Sequence, residues 1–81
     1  MQIPSADATL RIDAQGLLCP LPVLKLRKAL RDLAPGAQVQ LLATDPAAVI
    51  DVPHFCQQGG HELLSVEPSE NGARLFTVRR G

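Results

Sequence analysis

Cys19 is the chemistry-bearing residue with the most informative neighbours. It is followed by Pro20-Leu21-Pro22 and then by apolar residues at helical spacing. Proline suits the first turn of a helix, where its missing N–H would have no partner in any case. The spacing therefore predicts a helix starting at Pro20, with Cys19 at the N-cap. Sulfur there would face unpaired N–H groups and the positive end of the helix dipole. Both favour thiolate over thiol, so a nucleophile with a lowered pKa is expected. The two prolines fix φ and would hold the sulfur outward, arranged for attack. The competing reading is a buried, small apolar residue, the commonest fate of a free cysteine. Against it, Ser, Thr or Asp would cap better. Asp45 takes that role ahead of the second helix, so a cysteine here suggests that the sulfur itself is used.

Other candidate groups carry less. Cys56 sits beside Phe55 inside a helical stretch and reads as structural, with a resolving disulfide to Cys19 or a second sulfur site as its alternatives. His54, Cys56 and His61 match no zinc-ligand spacing, so no metal ligands are assigned. Two cysteines do not make a disulfide framework, and both thiols are expected free in a reducing compartment. The apolar stretch Gly16 to Leu24 holds two prolines and stops at Lys25, too short to span a bilayer. No basic-then-apolar leader is visible. A cytoplasmic protein without membrane contact is expected.

The elements that must position Cys19 follow from periodicity. Residues 1–7 read as a flexible lead-in and 8–81 as one domain. Thr9 to Asp13 alternates and predicts a strand with Leu10 and Ile12 inward; Ala14 to Leu18, with Gly16, forms a loop. Val23, Leu26, Leu30 and Leu33 make the apolar stripe of the first helix, which Pro35-Gly36 ends. Ala37 to Ala43 alternates as a strand, with Val39 and Leu41 on one face. Asp45-Pro46 signals a second helix with Asp45 as cap, Val49 and Phe55 in the core, a kink or break near Asp51–Pro53, and an end at Gly59-Gly60. Glu62 to Glu67 and Ala73 to Arg79 form the last strands, joined by a turn with a hairpin signal at Asn71-Gly72. The order β-α-β-α-β-β predicts an α+β, two-layer sandwich: a four-stranded mixed sheet with both helices on one face. The other face would present Thr9, Arg11, Gln38, Gln40 and Thr77 to water.

Composition limits the function. The 81 residues hold eight Lys/Arg and eight Asp/Glu, for zero formal net charge. No global field draws the chain to nucleic acid. Phe55 and Phe76 are the only aromatics of the Phe/Trp/Tyr class, too few for a base-stacking platform. Lys25, Arg27, Lys28 and Arg31 give the first helix a basic side near Cys19. It is either a solvated face or a docking surface for an acidic partner, and direct RNA contact is disfavoured.

Asp13-Ala14-Gln15-Gly16-Leu17-Leu18-Cys19-Pro20-Leu21-Pro22-Val23 resembles the signature of the TusA-like (SirA-like) sulfurtransferase family. The likeness continues through Lys28-Ala29, Pro35-Gly36, Thr44-Asp45-Pro46-Ala47, Asp51-Val52-Pro53-His54-Phe55-Cys56 and Gly60-His61-Glu62-Leu63. The resemblance implies the same two-layer sandwich and a motif cysteine that carries sulfane sulfur as a persulfide. Carried over, Cys19 is the nucleophile, Pro20 and Pro22 shape its turn, and Gly16 sets the approach loop. Asp13 and Asp45 match positions usually acidic, and structural roles are favoured for both. Leu18 stands where well-known members have a basic residue, which changes the docking surface; Leu18, Lys25 and Lys28 are the candidate docking residues.

The implied activity is a sulfur carrier without cofactor. A donor persulfide, on a cysteine desulfurase or a rhodanese-like protein, passes its outer sulfur to Cys19. Cys19 passes it to a DsrE-like or other thiol acceptor, in tRNA thiolation or other sulfur metabolism. A monomer is expected. The alternatives are a non-catalytic binding or regulatory module that uses the Cys-Pro-Leu-Pro turn for docking, and a Cys19–Cys56 disulfide switch.

Overall fold

Alternation along the strands decides which side chains meet. The computed structural model describes residues 9–81, and the expected lead-in at residues 1–7 lies outside them. The elements are β1 (Thr9–Ala14), α1 (Leu21–Arg31), β2 (Gln38–Ala43), α2 (Ala48–Gly59), β3 (Glu62–Pro68) and β4 (Arg74–Arg79). They form the expected α+β arrangement, with sheet order β1-β2-β4-β3. β1 pairs with β2 in parallel; β4 runs antiparallel to both β2 and β3.

The register places Leu10, Ile12 and Ala14 beside Val39, Leu41 and Ala43, and Val39 and Leu41 beside Val78 and Phe76. Val39, Leu41, Phe76 and Val78 are fully buried. Leu26 and Leu30 of α1 and Ala48, Val52 and Cys56 of α2 complete this core, with Val23, Leu33 and Phe55 packed at its margin. Each fully buried large side chain contributes about 1.5–3 kcal/mol. The opposite sheet face carries the expected polar set, with Thr9 beside Gln38 and Gln40 between Arg11 and Thr77. Arg11 Nη2 donates to Gln40 Oε1 at 3.4 Å. Leu42, beside Leu75, also lies on this face and is half-buried.

The structure corrects several expectations. Helix α1 starts at Leu21, one residue late, because Leu24 N–H donates to the Pro20 carbonyl and makes Pro20 the N-cap. Cys19 therefore lies just outside the helix. Helix α2 starts at Ala48, after a turn in which Ala48 N–H donates to the Asp45 carbonyl. It runs unbroken to Gly59 through Pro53. The acceptor deprived by that proline is the carbonyl of Val49, an exposed residue at the start of the helix, where water can replace the lost donor. Val49 is thus not a core residue; Ala48, Val52 and Cys56 face inward instead. Leu10, on the edge strand, points to the helix side yet stays 42% exposed.

In the β3–β4 connection Ala73 N–H donates to the Glu70 carbonyl across Asn71 (φ 58) and Gly72 (φ 77). Both central residues are left-handed, as a type I′ turn requires and as Asn-Gly permits.

Strand direction separates two ends of the molecule. Thr9 and Arg79 both pair with Gln38 at one end, while Ala14 and Arg74 flank Ala43 at the other. The Cys19 loop and the β2–α2 corner leave from the Ala43 end.

Candidate active site

The loop from β1 to α1 is fastened to the β2–α2 corner. Gly16, at φ 79, donates its N–H to Thr44 Oγ1 at 2.9 Å. A left-handed backbone there favours glycine, which is how Gly16 sets the loop. Cys19 N–H donates to Asp45 Oδ2 at 2.6 Å, and Ala47 N–H donates to Asp45 Oδ1 at 3.1 Å. One carboxylate therefore closes the turn that precedes α2, whose N-cap is Ala47 and not the expected Asp45 because the helix starts two residues late, and also grips the backbone of Cys19. Leu21 N–H donates to the Leu18 carbonyl at 2.8 Å, closing a turn with Cys19 and Pro20 at its centre. The Cys19–Pro20 peptide bond is cis. Pro22 is buried at the second position of α1 and anchors the turn to the core.

Cys19 is free and exposed; Cys56 is free and buried. The exposed sulfur fits a chemical role, and the buried one fits the structural role expected for it. Asp13 closes the end of β1, accepting from Gln15 N–H at 3.0 Å and from Gln15 Nε2 at 3.1 Å. These bonds, helped by the charge of Lys25, hold its carboxyl below the usual range.

Cys19 opens into a groove of about 250 Å³ lined by Pro20 and Val23 on one side and by Asp51, His54, Phe55 and Gln58 on the other. The last four are spaced i, i+3, i+4, i+7 and form one stripe of α2. Lys25 and Lys28 are exposed on α1 but do not line this groove. Exposed apolar side chains stand next in sequence to the residues that line it: Leu18 is 69% exposed and Ile50 is 74% exposed, with Leu21 and Leu24 half-exposed.

The electrostatics reverse one expectation. The Cys19 thiol is pushed above the ordinary cysteine value. The main cause is the Asp51 carboxylate as acceptor for its hydrogen, followed by loss of hydration and by the negative charges of Asp51 and Asp45. The helix-dipole argument fails because Cys19 is not the N-cap and because the Leu21 N–H is already taken by Leu18. Burial raises the Cys56 thiol as well.

Residues 10–80 match the family model described as Sulfurtransferase TusA. The chain belongs to the TusA family. Among TusA-family relatives, the Sulfur carrier protein TusA of Pseudomonas aeruginosa (strain LESB58) is 46% identical over 76 residues, spanning 94% of this chain and 92% of that one. The protein of the same name from Pseudomonas entomophila (strain L48) is 47% identical over 74 residues, spanning 91% and 89%. The crystal structure of the SirA-like protein from Desulfitobacterium hafniense superposes with a TM-score of 0.79 at 26% identity, covering 89% of this chain and 97% of that one. The TusA-family fold is therefore the one expected from the element order.

Within this TusA-family site, Asp51 is the residue that sequence reasoning left unassigned. Its place on the stripe shared with His54, Phe55 and Gln58, beside the buried stripe Ala48, Val52 and Cys56, was the available signal.

Proposed function

We propose that this TusA-family chain is a sulfur carrier that accepts sulfane sulfur on Cys19 and delivers it to a cysteine of another protein. In the loading step the Cys19 sulfur, having released its proton, attacks the outer sulfur of a donor persulfide. A new S–S bond forms to Cys19 as the donor's S–S bond breaks. The electron pair leaves on the donor thiolate, which takes up a proton. In delivery the roles reverse: an acceptor thiolate attacks the outer sulfur on Cys19, and Cys19 leaves. No external oxidant or reductant is needed, and rate follows thiolate fraction, leaving-group pKa and access.

The observation that carries this reading is the exposure of Cys19 on a loop tied to the β2–α2 corner at Gly16 and at Cys19 itself, while Cys56 is buried. Asp45 acts on the backbone and so positions the sulfur; Pro20 and Pro22 shape the turn. The apolar rim of Leu18 and Leu21 suits a transient protein contact. Among the described residues no helix is long and apolar enough to cross a membrane. The donor would be a cysteine desulfurase or rhodanese-like protein and the acceptor a DsrE-like or similar thiol protein, in tRNA thiolation or another sulfur route.

Incubation with a persulfide-generating desulfurase and its cysteine substrate tests this by intact mass. The expected product gains one sulfur atom, and Cys19→Ser gains none. A wild-type chain that stays unloaded, or a Cys19→Ser chain that loads equally, overturns the proposal.

A further inference from the structure

A second hollow of about 330 Å³ lies along the same pair of helices, lined by Arg27, Leu30, Arg31, Phe55, Gly59, His61 and Arg80. Phe55 lines both this hollow and the groove at Cys19, so the two are consecutive parts of one interhelical track. Both helices start at the cysteine end and finish at the arginine end.

The two ends differ in charge. Asp45 and Asp51 stand at the cysteine end. At the other end are three guanidinium groups without a carboxylate: the only ion pair among the described residues joins Arg79 and Glu62. Arg80 is held in place, its Nε donating to the Leu30 carbonyl at 2.7 Å and its Nη1 to the Gly81 oxygen at 3.5 Å, which leaves Nη2 for another acceptor. Between the ends the lining mixes apolar Val23, Leu30 and Phe55 with polar His54 and Gln58.

We infer that this track holds an extended segment of the partner protein, with the partner's reactive cysteine at Cys19 and an acidic side chain among Arg27, Arg31 and Arg80. The inference deepens the sulfur-carrier reading and rests on it. Geometry sets the spacing. Val23 to Arg31, like Asp51 to Gly59, is eight residues of helix, about 12 Å at 1.5 Å per residue. An extended chain covers that distance in about four residues. Charge complementarity selects the occupant: a carboxylate matches the arginine end, whereas a polyanion running the full length would meet Asp51 and Asp45.

Short peptides with a cysteine activated as its mixed disulfide with thionitrobenzoate test the track. Attack by Cys19 on the peptide sulfur forms one S–S bond, breaks another and releases the coloured thionitrobenzoate thiolate, so rates are read directly. An Asp is placed four residues from the cysteine, on its N- or C-terminal side, or next to it; Ala and Lys replace it in controls. In one chain direction the four-residue Asp peptide should react roughly five- to tenfold faster than its Ala control at low salt. That ratio should collapse at high salt and in the R27Q/R31Q double variant.

Equal rates for every Asp position, or a ratio that survives R27Q/R31Q, would overturn the inference. So would a short ribo-oligonucleotide binding the track more tightly than an Asp peptide of equal charge. If every peptide reacts alike, the track alone is wrong. If none reacts with Cys19, the sulfur-carrier reading fails with it.

Discussion

The backbone N–H of Cys19 donates to the Asp45 carboxylate at 2.6 Å, across 26 positions of sequence. This bond joins the loop that carries the sulfur to the corner from which α2 departs, and Asp45 satisfies Ala47 N–H with its other oxygen. Asp45→Ala should therefore cost about 1–2 kcal/mol, the usual loss when charge-assisted hydrogen bonds to backbone N–H groups are removed. Asp45→Asn should cost less, since one acceptor remains. Denaturant midpoints measure the loss, and faster hydrogen exchange at the Cys19 amide would locate it.

The two thiols should differ sharply toward alkylation. Iodoacetamide near neutral pH should modify exposed Cys19 first and leave buried Cys56 until the chain unfolds. Peptide mapping over time reads this. Equal labelling of the folded protein would contradict both assignments.

The pH dependence of that reaction has a definite sign. Because Asp51 favours the protonated thiol, Cys19 should gain reactivity at higher pH than an ordinary cysteine, whose pKa is about 8.5. Asp51→Asn removes the charge and should move the profile to lower pH, so labelling at neutral pH becomes faster; Asp51→Glu should largely restore it. A profile indifferent to Asp51→Asn would mean that the carboxylate does not act on the sulfur.

Cys56 offers a control in the core. Cys56→Ala should cost about 1 kcal/mol, whereas Cys56→Ser, which buries a hydroxyl among Ala48, Val52 and their neighbours, should cost about 1–3 kcal/mol. Thermal or denaturant unfolding measures both. Sulfur loading at Cys19 should persist in each, and its loss would give Cys56 a chemical role.

The sheet and its filling were legible because strand alternation is local: Val39 and Leu41 inward with Gln38 and Gln40 outward follows from the pleat alone. The stripe through Leu26 and Leu30 and the Asn71-Gly72 turn are equally local. Val49 was misplaced because α2 starts two residues later than Pro46 suggests, and a shift of that size rotates the buried face to Ala48, Val52 and Cys56. Pro53 looked like a breaker, yet it deprives a carbonyl only at the exposed first turn. The acidity of Cys19 was misjudged for a related reason. The proline at position 20 became the cap and put the sulfur outside the helix, and the decisive carboxylate comes from Asp51, which the α2 stripe groups with His54, Phe55 and Gln58 but which only tertiary packing brings to Cys19.

Thr9 and Arg79 flank Gln38 on neighbouring strands, about 10 Å apart across the sheet and at the far end from Cys19. A tether, a fused domain or a solid support attached beyond either strand would leave the thiol pointing into open solvent. The same closeness suits circular permutation: a short linker could join these ends, and new ones could be cut at the Pro35-Gly36 turn without touching the loop that handles sulfur.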